Sequence, residues 1–233
     1  MTARGRRPYG WLVAMALWPA TVAAQTPITF RTPDSASIQA DVYGNGDRAV
    51  LIIGHGGYSS RASWRDEALA LAKAGYRTLV FDTRAATELA AGKETECLYD
   101  ESCMAVDVLA AVRYMRAAGA TSVAVMGGSA GAGAAAQAAV EAADGEIDRL
   151  VLLAPMEIKS PDRIKGRKLY ATSRDDLGPD DRPRLPGIRA QYDKAPPPKE
   201  WLVLDGSAHG QRIFATAQGA RLRQEILRFL AEP

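Results

Sequence analysis

The feature that most constrains this chain is a repeated alternation of short apolar runs with stretches of helical spacing. AVLII, RTLVFD, SVAVMG, DRLVLLAP, RKLYATS and EWLVLDG are the runs, most of them rich in branched residues. Runs this short and this continuously apolar suit strands buried on both faces. Between or after them lie SWRDEALALAKAGY, AVDVLAAVRYMRAAGA, AGAGAAAQAAVEAA and QRIFATAQGARLRQEILRFLAE. The first has acids early and Gly75 at its end, as helices prefer. The last predicts a helix with Ile213, Ala217, Leu222, Ile226 and Phe229 along its apolar face. ITFRTPDSASIQADVYG, ahead of all of these, reads as two strands with turn residues between them. Strands alternating with helices predict the α/β class: a mostly parallel sheet covered on both sides, in one domain.

The first 24 residues stand apart. Arg4, Arg6 and Arg7 precede an apolar run from Trp11 to Trp18, and small residues lead to Ala24. Basic head, short apolar body and small-residue end predict a cleaved secretory signal over 1–24, leaving a domain over 25–233. The apolar body is short for a membrane span and Pro19 interrupts it, so a retained anchor is the lesser alternative and no stable membrane insertion is expected after cleavage. The Arg6-Arg7 pair also admits twin-arginine export. Removing the three arginines takes the formal charge from +2 to −1. A surface so near neutral gives no support to nucleic-acid binding. Export also bears on Cys97 and Cys103, the only cysteines. An oxidising compartment favours a local disulfide between them, with free thiols as the alternative. Two histidines in the whole chain, neither near the cysteines, leave little for a zinc site.

In parallel sheets, ligands gather beyond the carboxyl ends of the strands. The residues at those ends are Gly54-His55-Gly56-Gly57, Asp82, Ser129, Pro155, Asp175-Asp176 and His209. Ser129 lies in GGSAG, a G-x-S-x-G pattern with a strand before and a helix after. Two readings fit: a tight packing turn among small residues, or a nucleophile exposed on a strained turn. A serine nucleophile needs a base, and the base an orienting carboxylate. His209 follows the last strand, and Asp175 and Asp176 follow the one before it. All three role types therefore fall at strand ends in the order serine, acid, histidine.

With these residues in place, the chain resembles the α/β-hydrolase superfamily, and more narrowly its small dienelactone-hydrolase-like or esterase-like members. LIIGHGGYSS, AGYRTLVFDTR, VAVMGGSAGAG, LYATSRDD and DGSAHG carry the resemblance, which spans Ile28 to the C-terminus. It implies Ser129 as nucleophile, His209 as base and Asp176, three residues beyond the small Ser173, as acid. It also implies an oxyanion hole from the amides of Gly57 and Ala130, a structural role for His55, and a small-molecule ester substrate. No metal or organic cofactor is required for that chemistry. The short passage from LVLLAP to RKLYATS leaves no room for a large cap domain, which predicts an open site. DTRAATELAAGKETEC departs from the family pattern, and the cysteine pair is expected to pin this stretch beside the site. The same triad admits peptide or amide hydrolysis, and the fold admits a non-catalytic binding protein.

Overall fold

In the computed structural model, which describes residues 25–97 and 100–232, eight strands join one sheet. β1 (Thr26–Arg31) and β2 (Ser37–Tyr43) form an antiparallel hairpin at its edge, and β2 also runs antiparallel to β4. β3 (Arg48–Gly54), β4 (Arg77–Asp82), β5 (Ser122–Gly128), β6 (Arg149–Leu153), β7 (Arg167–Ser173) and β8 (Lys199–Leu204) are parallel. The spatial order is β1-β2-β4-β3-β5-β6-β7-β8. From β3 the chain moves outward to β4, then returns past β3 to β5 and continues to β8. That reversal leaves a crevice beyond the carboxyl ends of β3 and β5, where open sheets of this kind bind ligands.

Alternation along the strands divides the core in two. Leu51 and Ile53 face one side with Leu79, Phe81 and Tyr170, under α3 (Glu101–Ala117) and α4 (Ala130–Glu141). Val50 and Ile52 face the other with Val80 and Met126, under α1 (Arg65–Lys73) and α6 (Gly219–Ala231). Both faces of the central strands are therefore dry, which is why those runs lack an apolar–polar alternation. α5 (Leu185–Lys194) buries Ile188 against the first face. Between β6 and β7 the chain makes only a short 3₁₀ turn over Pro161–Arg163, so no cap domain rises there.

Two elements differ from the sequence expectation. The last helix begins at Gly219, not in the low 210s; Gly210–Ala215 is a 3₁₀ turn and Ala217 is exposed. Ile213 and Phe214 turn inward, and the helix restarts so close to them that a Cβ on Gly219 would lie 2.1 Å from the Phe214 carbonyl oxygen. The second difference is a short helix, α2 (Arg84–Ala90), inside the DTRAATELAAG stretch, capped by Thr83 Oγ1 accepting from the Ala86 amide at 3.3 Å.

α2 is anchored by charge. The Arg84 guanidinium donates to the buried Asp107 carboxylate of α3 at 2.7 and 2.9 Å, and to Asp34, in the β1–β2 turn, at 3.0 Å. Burial pushes the Asp107 carboxyl up, and the Arg84 contacts oppose that. Asp34, more than half exposed, is held well below the usual carboxylate range by its bond to the same guanidinium. Asp107→Ala removes the buried acceptor of the Arg84 amide and guanidinium, leaving Asp34 as its remaining carboxylate, and should lower unfolding free energy by about 1–3 kcal/mol. Asp34→Ala should cost only about 0–1 kcal/mol. Urea denaturation of both variants checks the contrast.

Lys168 is buried in β7, with its ammonium donating to the Pro196 carbonyl at 2.8 Å. Burial, with Lys199 nearby, pushes it down to about 8 from an ordinary 10.5. The folded chain thus releases this proton near pH 8, whereas the unfolded chain holds it to near pH 10.5. Lys168 should therefore make stability rise as pH climbs through that window, and Lys168→Met should flatten the rise. Thermal melts across the same range test this.

Candidate active site

β5 runs directly into α4 through Ser129, which has φ 53° and ψ −121°. A non-glycine residue there is strained by about 1–3 kcal/mol, so the surroundings must hold it. They do so through its backbone. The Ser129 amide donates to the Leu153 carbonyl at 2.9 Å, and its carbonyl accepts from Ala132, Gly133 and Met156. Its side chain makes no capping bond to the helix, which leaves the hydroxyl for other use.

The flanking glycines have separate jobs. A Cβ on Gly127 would lie 2.4 Å from the Gly131 backbone, where strand and helix cross. A Cβ on Gly128 would lie 3.0 Å from the Gln211 amide nitrogen, and one on Gly210 would lie 3.4 Å from the Ser129 amide nitrogen. The segment following His209 therefore packs directly on the Ser129 turn. Ten of the twelve α4 residues are buried, so the alanine and glycine run is also a packing stripe. Tight packing and a strained turn at Ser129 therefore coexist in GGSAG.

The loops after β7 and β8 are laced together. Ser173 Oγ donates to the Ala208 carbonyl at 2.6 Å, and the Asp175 amide to the Gly206 carbonyl at 3.0 Å. This brings His209 Nδ1 to 2.7 Å from Asp176 Oδ2. The Asp176 side chain is 1% exposed and that of His209 19%, so the acid lies beneath and the imidazole reaches the surface of the crevice. Asp175 is exposed.

Beyond β3, Gly56 and Ser59 exchange two backbone bonds at 3.1 Å, closing a tight turn with Gly57 at φ 61°. Space around Gly57 is open. The Gly56 amide is spent on that turn; the amides of Gly57 and Ala130 have no backbone acceptor among the described residues. Ala130 opens α4, where the helix dipole favours negative charge. His55 is buried against Gly131, and burial with His209 nearby pushes its imidazole below the ordinary value. Asp82 is not in the crevice chemistry: its carboxylate accepts from the Arg61 amide at 2.6 Å and supports the turn after β3. Among the described residues, no group of three or more His, Cys, Asp or Glu side chains could hold a metal ion.

Cys97 and Cys103 are joined in a disulfide with Cα atoms 5.5 Å apart. It closes onto the first turn of α3, beside Asp100, which caps that helix. The neighbouring Glu101 packs on Gly133 of α4, one turn beyond Ser129. Two neighbours of the crevice had no signal in the sequence. Met156 bonds the Ser129 carbonyl at 3.3 Å, and the Arg184 guanidinium lies 3.8 Å from Asp176 Oδ1 while its amide donates to the Asp176 carbonyl at 2.9 Å.

Residues 49–184 match the family model described as alpha/beta hydrolase fold. The chain belongs to that family. Among solved structures it is similar to a dienelactone hydrolase from Anabaena variabilis, at 19% identity and TM-score 0.71, covering 89% of this chain and 96% of that one. It is similar to an esterase of Pyrococcus furiosus at 17% identity and TM-score 0.68, covering 89% and 92%. It also matches dipeptidyl peptidase 4 of Porphyromonas gingivalis at 12% identity and TM-score 0.66, covering 90% of this chain but 35% of that one. No curated protein sequence matches the chain.

Gly127→Ala forces backbone against backbone and should cost about 3 kcal/mol or more. Gly57→Ala meets open space and should cost only about 1–2 kcal/mol, the price of its left-handed backbone. Urea melts separate the two. Non-reducing peptide mapping should recover the Cys97 and Cys103 peptides linked.

Proposed function

We propose that the protein is an exported serine hydrolase that cleaves carboxylic esters through an acyl-enzyme. The observation that carries this reading is the 2.7 Å contact of His209 Nδ1 with the buried Asp176, in a loop packed on the strained Ser129 turn. In this reading Ser129 Oγ attacks the ester carbonyl carbon as His209 Nε2 takes its proton. The carbon–alkoxide bond then breaks, and the imidazolium gives that proton to the departing alcohol. A water repeats the sequence on the acyl-enzyme, with its proton passing through His209 to Ser129 as the acid leaves. Asp176 fixes the imidazole tautomer and stabilises its charged form. The Gly57 and Ala130 amides would receive the oxyanion, each donor being worth about 3–4 kcal/mol. His55 is buried, and burial pushes its imidazole below the ordinary value, whereas His209 is the histidine bonded to a carboxylate at 2.7 Å.

Ester rather than peptide cleavage is favoured by the small single-domain build shared with the two smaller hydrolases above. The peptidase match covers only a third of a much larger chain. Export rests on residues 1–24, which lie outside the described residues.

A fluorophosphonate probe should label Ser129, read by peptide mapping; labelling of another serine would overturn the assignment. Ser129→Ala should cut turnover of p-nitrophenyl butyrate at least ~10³-fold while leaving the melt unchanged. Asp176→Asn should cost about 10⁴-fold, whereas Asp175→Asn should change turnover less than about twofold, since it disturbs no buried partner. Turnover of peptide anilides but not esters would move the reaction class. Intact mass of the secreted or periplasmic protein should begin at Gln25.

A further inference from the structure

The loop after β6 and the segment from Asp180 to Lys194 face each other across a groove of about 720 Å³. Each wall is tied to one member of the candidate triad. Met156 lines one wall and bonds the Ser129 carbonyl; Arg184 lines the other and bonds the Asp176 carbonyl. The walls are joined to each other by the Ile158 amide, which donates to Gln191 Oε1 at 3.0 Å. The groove therefore lies beside the candidate triad, one hydrogen bond from the Ser129 and Asp176 backbones, and is lined by neither residue.

Its chemistry is two-sided. Pro155, Ile158, Pro161 and Ile188 are buried and give it an apolar floor. Its rim carries Lys159, Arg182, Arg184 and Lys194 against Glu157 and Asp180. Asp180 is taken by Arg182 at 3.3 Å, and Arg184 gives its Nε to the Leu177 carbonyl at 3.2 Å. No ion pair engages Lys159, Lys194 or Glu157 among the described residues, so two free ammonium groups and the outer edge of Arg184 face a single free carboxylate. Such a groove attracts an anion to its own rim, beside the Ser129 turn, and accepts an apolar spacer along its floor.

We propose that the groove is a subsite for a second, negatively charged group on the substrate, so that the enzyme prefers esters bearing a carboxylate at the end of an apolar spacer. This rests on the triad reading above. The carboxylate can belong to the acyl part or to the alcohol part of the ester, and the test has an arm for each.

The acyl arm compares p-nitrophenyl hydrogen adipate with neutral p-nitrophenyl hexanoate. The alcohol arm compares 6-butyryloxyhexanoate with hexyl butyrate, each followed by acid release in a pH-stat. In one arm the charged ester should have kcat/KM about 10-fold above its neutral partner at low salt, with the ratio falling toward one as salt screens the rim. Lys159→Glu with Lys194→Glu should bring that ratio below one, and Glu157→Gln should raise it. All three positions are exposed, and circular dichroism checks that the variants fold. A ratio near one in both arms, or a preference that the double reversal leaves intact, overturns the subsite. Neutral-ester turnover that is lost in Ser129→Ala keeps the triad reading standing in that event, whereas absence of turnover of all four esters overturns both.

Discussion

The structure depends on a backbone crossing at Gly127 and Gly131, where α4 starts with no connecting loop at the end of β5. The helix passes so near the strand that residue 127 has no room for a side chain, since a Cβ there would lie 2.4 Å from the Gly131 backbone. Ser129 sits at the apex and has to adopt a left-handed backbone to make the turn. Its strain is balanced by bonds to Leu153 and Met156 from the neighbouring strand end and by the first turn of α4. Ala154, also left-handed at φ 46°, carries the β6 chain around the same point. A rigid apex is what a site needs if a hydroxyl is to be presented without its own flexibility opposing reaction.

The other half of the crevice is built by loop-to-loop hydrogen bonds. Ser173, Asp175 and Ala208 hold the β7 and β8 exits together, and this fixes the imidazole of His209 over a carboxylate almost without solvent contact. The supports lie outside GGSAG and DGSAHG, which is why the motifs alone specify residue types and leave open which atoms meet. Charge does similar work at the far side of the sheet. There the guanidinium of Arg84 joins a hairpin turn, a short helix and α3 through two carboxylates of very different exposure.

Most of the layer order was legible because burial on both faces writes itself as unbroken apolar runs. The misses share a physical cause. α2 has an ordinary Thr83 cap, but its helix is short and depends on Arg84 reaching Asp107, a contact between residues distant in sequence. The early start expected for the last helix followed a helical spacing from Ile213 onward, yet Ile213 and Phe214 are buried by a 3₁₀ turn and the helix proper waits for Gly219. Periodicity registers which residues are apolar and not how the backbone delivers them.

The sequence by itself determined the α/β class, the strand ends at which chemistry could gather and the short list of side chains able to perform it. It did so because local propensity, apolar runs and small-residue turns are properties of neighbouring residues. Only the tertiary structure brought the Asp176 carboxylate to 2.7 Å from His209, made Asp82 the brace of a turn, and set Met156 and Arg184 on the two walls of a charged groove. Those outcomes depend on the twist and register of parallel strands and on loops that meet across them, and residues far apart in the chain become partners only once the sheet has set their distance.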